Sequence, residues 1–212
     1  MKYQNRYEAG KILAEHLHAY ANNANVIVLA LPRGGVPVAY EIAEALHAPL
    51  DVFVVRKLGV PGHKELAMGA IASGNAHVFN EDIIRELQIS LEEIRTVMRN
   101  EQDELNRRES LYRQNKPFPS LLDKIVILVD DGIATGATIR VAINALKKLQ
   151  PAKLILAVPV AQKSLSTQLR QKVDEYICPL EPSDLNAVGA WYDDFSQTED
   201  DEVHTLLRAA NK

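Results

Sequence analysis

One cysteine, Cys178, in 212 residues leaves nothing to cross-link, so no disulfide framework holds this chain together. No Cys or His lies near it with which to build a metal or nucleophile pair, and it reads as a small buried hydrophobe. No apolar run approaches the roughly 20 residues of a membrane span. The stretch Met1-Lys2-Tyr3-Gln4-Asn5-Arg6 lacks the apolar centre of a secretory leader. Excess positive charge is missing too. Lys and Arg number 24 against 28 Asp and Glu, and the net charge of −4 argues against a nucleic-acid partner. Two familiar phosphate signatures are absent: the chain has neither G-x-x-x-x-G-K-[ST] nor G-x-G-x-x-G. What remains is a chain 47% apolar, enough for a full core, sized for one domain with an appendage and expected in the cytoplasm.

The most informative stretch runs from Ile125 to Thr138. Five apolar residues, four of them β-branched, end in Asp130-Asp131. Gly132-Ile133-Ala134-Thr135-Gly136-Ala137-Thr138 follows, and helical periodicity begins at Ile139. Such a run, bounded by charge, predicts a buried strand of a parallel sheet. The loop then lies at the strand's carboxyl end, where open α/β sheets bind ligands. Inward-turned amides at the start of a helix make an anion site. Paired carboxylates cannot hold a phosphate, but they suit sugar hydroxyls or a hydrated Mg²⁺. One loop therefore offers a phosphate cradle beside a diol clamp, and points to a sugar 5-phosphate.

The rest of the chain predicts alternating strands and helices. Residues 5–20 form an amphipathic helix carrying Tyr7, Ile12, Leu13 and Leu17. Val26–Leu31 is a strand, 36–47 a helix and Asp51–Val55 a second strand, which makes a βαβ unit and a parallel sheet. Residues 56–75, rich in glycine and basic residues, read as a long mobile loop, with Val78 and Phe79 ending a short hairpin. Asn80 starts one helix. Ser90-x-x-Glu93 is a capping box for another, running to about Gln114, with Glu104 and Arg108 on a solvated face. A helix over 138–149 and strands at Leu154–Val158 and Glu175–Cys178 follow. Ser196-x-x-Glu199 reads as a second capping box, opening a helix to about Ala210.

The segment with Asp130, Asp131, Thr135, Gly136 and Thr138 resembles, position by position, the phosphoribosyl diphosphate (PRPP) motif of type I phosphoribosyltransferases. That resemblance implies an α/β fold with a central parallel sheet of about five strands, flanked by helices, and a small hood. It implies one domain over 1–212, with the core at about 21–160 and the hood at about 176–195 plus the N-terminal helix. Asp130 and Asp131 would hold the ribose 2- and 3-hydroxyls, directly or through Mg²⁺ and water. Ala134, Thr135, Gly136, Ala137 and Thr138 would wrap the 5-phosphate.

Leu31-Pro32-Arg33-Gly34-Gly35 ends the first strand. It resembles the pyrophosphate loop of hypoxanthine-guanine phosphoribosyltransferases, with one residue inserted and Arg for Lys. The resemblance implies that Arg33, Gly34 and Gly35 grip the diphosphate, with a cis peptide placed between Pro32 and Arg33. On its own the stretch also reads as a plain strand-to-helix turn. Arg56-Lys57-Leu58-Gly59-Val60-Pro61-Gly62 resembles the lid of adenine phosphoribosyltransferases, one residue shorter. It implies a catalytic role for Lys57 and a phosphate contact for Arg56, with His63 and Lys64 also within reach.

Val188, Gly189 and Asp193 resemble the hood of the hypoxanthine-guanine enzymes, which implies that Trp191 or Tyr192 stacks on a base with Asp193 near it; on their own, aromatics in a loop after the last strand read as core or dimer contacts. Ala134 stands where the 6-oxopurine enzymes have Asp and where adenine enzymes have Ala, so the base stays open. Lys163 reads either as a contact for an exocyclic oxygen or as a surface lysine. The opening Asn5-Arg6-Tyr7-Glu8-Ala9-Gly10 resembles a bacterial and archaeal branch of the same family. Together these imply a Mg²⁺-dependent transfer of the phosphoribosyl group from PRPP to a purine-like base, by a homodimer. The other reading is a regulatory protein that binds PRPP or a nucleotide with little catalysis.

Overall fold

A computed structural model describes residues 2–114 and 116–211. In chain order it forms α1 (Arg6–Leu17), β1 (Val26–Ala30), α2 (Gly35–Leu46), β2 (Leu50–Val52), β3 (Val55–Val60), β4 (His63–Ala72) and β5 (Ala76–Phe79). It continues through α3 (Glu81–Glu86), α4 (Leu91–Arg113), β6 (Ile125–Val129), α5 (Ala137–Lys148), β7 (Lys153–Ala157), α6 (Lys163–Arg170), β8 (Glu175–Ile177) and α7 (Asp200–Ala210). Five strands make one wholly parallel sheet in the order β2-β1-β6-β7-β8. Every residue of β1, and all of β6 except Ile125, is buried, as a strand covered on both faces requires.

Leu13, Ile42, Leu46, Leu105 and Val203 from α1, α2, α4 and α7 pack on one face of the sheet. Ile139, Ile143, Leu146, Leu165 and Leu169 from α5 and α6 cover the other. A small third cluster joins Tyr3 and Ala9 to Tyr192. The N-terminal segment is stitched to it by Tyr3 N–H to Trp191 O at 3.0 Å and Asp193 N–H to Tyr3 O at 2.8 Å. Among the described residues no helix is long and apolar enough to cross a membrane.

Three local expectations are corrected. Residues 56–75 are not a loop throughout: β3 and β4 form an antiparallel hairpin that β5 extends. Leu58, Val60, Met68 and Ala70 are buried, and this alternation holds the strands down despite their glycine and basic content. Ser196 does not cap the last helix. Its amide donates to Asp194 Oδ1 at 2.9 Å, the chain stays extended through Glu199, and α7 begins at Asp200. Cys178 is half-buried rather than fully enclosed, with its thiol directed at Leu180 O. Helix α6, eight residues between β7 and β8 with Leu165 and Leu169 buried, is an element beyond those expected. The Ser90–Glu93 capping box is present as expected.

The base of the hairpin is tied to α4 by Arg113, which is 7% exposed. It donates to Asp51 at 2.8 Å, Val52 O at 2.6 Å and Ser73 Oγ at 3.2 Å, and pairs with Glu109 at 2.7 Å. Burial pushes the Asp51 carboxyl above its ordinary value, and Arg113 pulls it back. Replacing Arg113 by Met strands two carboxylates, and such losses cost about 3–5 kcal/mol. Urea unfolding of Arg113→Met is expected to show a loss of that size. Adding Asp51→Asn is expected to recover part of it.

Candidate active site

β1 and β6 are neighbours, so their carboxyl ends bring together two sequence segments about a hundred residues apart. Leu31 N–H donates to Val129 O at 2.9 Å, which aligns the two loops. The Pro32–Arg33 peptide is cis. The loop it belongs to lies directly on the twin acids. A Cβ on Gly34 would stand 2.1 Å from Asp131 Oδ2, and one on Gly35 would stand 2.8 Å from Val129 O. Only glycines allow this approach.

Asp130 and Asp131 are half-buried at the mouth of the sheet. Burial, and then the neighbouring charge of Asp131, hold the Asp130 carboxyl well above the ordinary aspartate value. Its Oδ1 accepts the Asp131 N–H at 2.9 Å. Burial raises Asp131 as well, against the opposing pull of Arg6. Arg6 Nε donates to Asp131 Oδ2 at 2.9 Å, and Arg6 Nη1 to Ser196 O at 2.7 Å. Arg6 is 9% exposed, its guanidinium 3.8 Å from the Phe195 ring centre. Nothing in the sequence marks Arg6 as a site residue. It lies in the first turn of α1, 125 positions from its partner.

Beside the acids, Ala134, Thr135, Ala137 and Thr138 are exposed and Gly136 is buried. Gly136 caps α5 with φ +74°, a left-handed conformation that favours glycine. The loop thus opens to solvent at a helix N-terminus, the arrangement that binds anions. Arg140, one turn into α5, braces it by donating to Thr135 O at 3.2 Å.

The basic residues are distributed differently from the sequence reading. Arg33 rests 3.5 Å from Glu199 and 3.9 Å from Asp200 at the start of α7. Arg56 is fastened to Glu101 of α4 at 2.7–2.8 Å, because with period two it shares the face of Leu58, which turns toward that helix. Lys57, on the opposite face, is exposed and makes no ion pair among the described residues. His63 and Lys64 are exposed at the hairpin's tip.

In the aromatic segment, Tyr192 is 4% exposed and packs between Tyr3 and Phe195. Its hydroxyl donates to Asp131 O at 2.6 Å, so the ring belongs to the core and presents no free face for a base. Trp191 is half-buried and Asp193 exposed. Lys163 is exposed at the start of α6. A cavity of about 600 Å³ opens far from these loops, at the amino ends of β1 and β2 beside Pro49, Lys124 and Leu207. It holds none of the paired acids or glycine loops, and lies at the end of the sheet opposite to where ligands of such folds bind.

The profile of the phosphoribosyl transferase domain matches residues 62–194, more than half of the chain. Two Mycobacterium tuberculosis proteins, "Putative phosphoribosyl transferase MT0597" (strain CDC 1551 / Oshkosh) and "Putative phosphoribosyl transferase Rv0571c" (strain H37Rv), are each 41% identical over 210 residues. The match takes in 99% of this chain and 47% of theirs, so the chain spans about half the length of these relatives. The crystal structure of TT1426 from Thermus thermophilus superposes with a TM-score of 0.85 at 36% identity, covering 98% of each chain.

The electrostatics of the acid pair lead to a direct check. In a ¹³C carboxyl titration, Asp130 is expected to lose its proton at a pH above the ordinary aspartate range. In Asp131→Asn the midpoint is expected to move down, because the second cause of its elevation is gone, while burial keeps it above the ordinary value.

Proposed function

Because this chain belongs to the phosphoribosyl transferase domain family, we propose that it transfers the 5-phosphoribosyl group of PRPP to a nitrogenous base, purine-like in character, and releases pyrophosphate. The observation that carries this reading is the contact between the two loops. The Gly34-Gly35 turn rests on Asp131, with the 134–138 loop, exposed except at Gly136, alongside. This contact supports a reading in which a diphosphate site, a diol site and a phosphate site are adjacent, in the order that PRPP presents these groups.

In this reading Ala134 to Thr138 hold the 5-phosphate through backbone amides and threonine hydroxyls. Asp130 and Asp131 accept the ribose hydroxyls and fix the sugar. The base nitrogen attacks C1 as the C1–O bond to pyrophosphate breaks, through a transition state of oxocarbenium character, and the proton of that nitrogen passes to water or to the departing pyrophosphate. Negative charge grows on the departing diphosphate, where Arg33 and the Gly34 amide meet it; the Gly35 N–H donates to Leu31 O at 3.1 Å and shapes the turn instead. Lys57 adds positive charge from the hairpin, whose tip helps exclude water. Arg56 contributes indirectly, by anchoring the hairpin to Glu101. On the base side, Trp191 offers the remaining aromatic face with Asp193 beside it, and the hood comprises residues 176–195 with the N-terminal segment.

The donor set fits Mg²⁺. Asp130 and Asp131 are hard oxygen donors, and no group of three or more His, Cys, Asp or Glu side chains placed to hold a metal ion occurs among the described residues. An ion there would draw its other ligands from substrate oxygens and water, as Mg²⁺ commonly does. When bound, it supplies neutralisation of the diphosphate. A homodimer working in the cytoplasm completes the proposal.

Purified protein incubated with PRPP, Mg²⁺ and a panel of bases is expected to release pyrophosphate with a subset of purines. Asp130→Asn combined with Asp131→Asn is expected to lower turnover by about 10²–10³ or more, as loss of preorganised site groups does, while far-UV circular dichroism is unchanged. Full turnover in the double variant defeats the role given to the pair. PRPP binding without release for every base favours a regulatory protein instead.

A further inference from the structure

The side chain that organises the acid pair lies outside the phosphate, diphosphate and lid motifs. Asp131 is held at two points by segments remote in sequence. Arg6 Nε takes its Oδ2 at 2.9 Å, and the Tyr192 hydroxyl takes its main-chain oxygen at 2.6 Å. Arg6 is itself fixed by Ser196 O at 2.7 Å and by the Phe195 ring 3.8 Å away. Oδ2 also abuts Gly34, which crowds that oxygen. Oδ1 accepts no hydrogen bond among the described residues.

We propose that Arg6 is a positioning residue for the ribose site, orienting Asp131 so that Oδ1 alone faces the sugar hydroxyls. This rests on the transferase reading above. The physical need is twofold. A lone aspartate samples rotamers, and a diol clamp needs its acceptors fixed before the ligand arrives. Two adjacent carboxylates also repel a ligand bearing phosphates at both ends. A buried guanidinium bound to one of them removes a unit of that charge without occupying the ligand's space. The alternative is purely architectural, with Arg6 serving only to pin α1 to the 195–196 turn.

Two probes separate these roles. Ribose 5-phosphate uses the diol clamp, whereas inorganic pyrophosphate uses the Arg33-Gly34-Gly35 loop. Calorimetry in Mg²⁺ buffer on Arg6→Met is expected to show ribose 5-phosphate binding weakened about tenfold, the scale of one charge-assisted hydrogen bond, with pyrophosphate binding within about twofold of wild type. Arg6→Lys, which keeps the charge, is expected to restore part of the loss. Tyr192→Phe leaves Arg6 intact and serves if Arg6→Met does not fold. It is expected to weaken ribose 5-phosphate alone, by a smaller factor. Equal weakening of both probes, or none, overturns the inference while leaving the transferase reading intact. Failure of the wild-type protein to bind ribose 5-phosphate overturns both.

Discussion

Two carboxylates on consecutive residues at the end of a buried strand repel each other, and the surrounding structure is arranged around that repulsion. A cation from α1 meets one acid, and the neighbouring amide serves the other. Removing charge from water is costly unless it is paired and hydrogen-bonded. The pairing here uses groups from four places: the first turn of α1, the 192–196 segment, the turn after β1 and the end of β6. Their meeting point is also the point where the proposed substrate would enter. The fold and the site therefore share one electrostatic constraint.

The pieces of this arrangement that were legible in sequence are those governed by local rules. The Ile125–Val129 run ends in charge because its strand is covered on both faces, and that pattern is visible from five residues. The order of strands and helices gave the parallel sheet through the handedness and length of its crossovers. Gly34-Gly35 and Thr135-Gly136 announce tight turns because glycine tolerates conformations and contacts that other residues resist. The capping box at Ser90 is equally local.

What stayed hidden depends on contacts across the fold. Arg6 is one of 24 basic residues, and only the return of residues 192–196 to α1 gives it a partner. Arg56 matches a lid pattern, yet its face of the strand is decided by the burial of Leu58, so its charge is taken by Glu101. Tyr192 reads either as a ring for stacking or as a core contact, and only the packing of Tyr3 and Phe195 over it decides for the core. The hairpin of β3 and β4 is disguised by a composition suited to loops. Its alternating buried residues are interrupted by a register shift near Gly59, which blurs the period-two pattern. Ser196 carries a helix-start spelling, but its amide is already committed to Asp194.

The anchoring of that hairpin has a mechanical outcome. Arg113 at its foot, Arg56 partway along and the buried Leu58, Val60 and Met68 make the arm a cantilever fixed over most of its span. A bending motion is then confined to the short free end around Pro61, Gly62, His63 and Lys64. A larger sweep has to carry α4 with it, because Glu101 travels with Arg56. Since Tyr112 of α4 donates to Asp200, and Asp200 lies beside Arg33, such a sweep would tug on the turn that follows β1. Under the proposed transfer reaction, closure of the arm over a ligand would thereby be geared to the freedom of Arg33 through a single long helix.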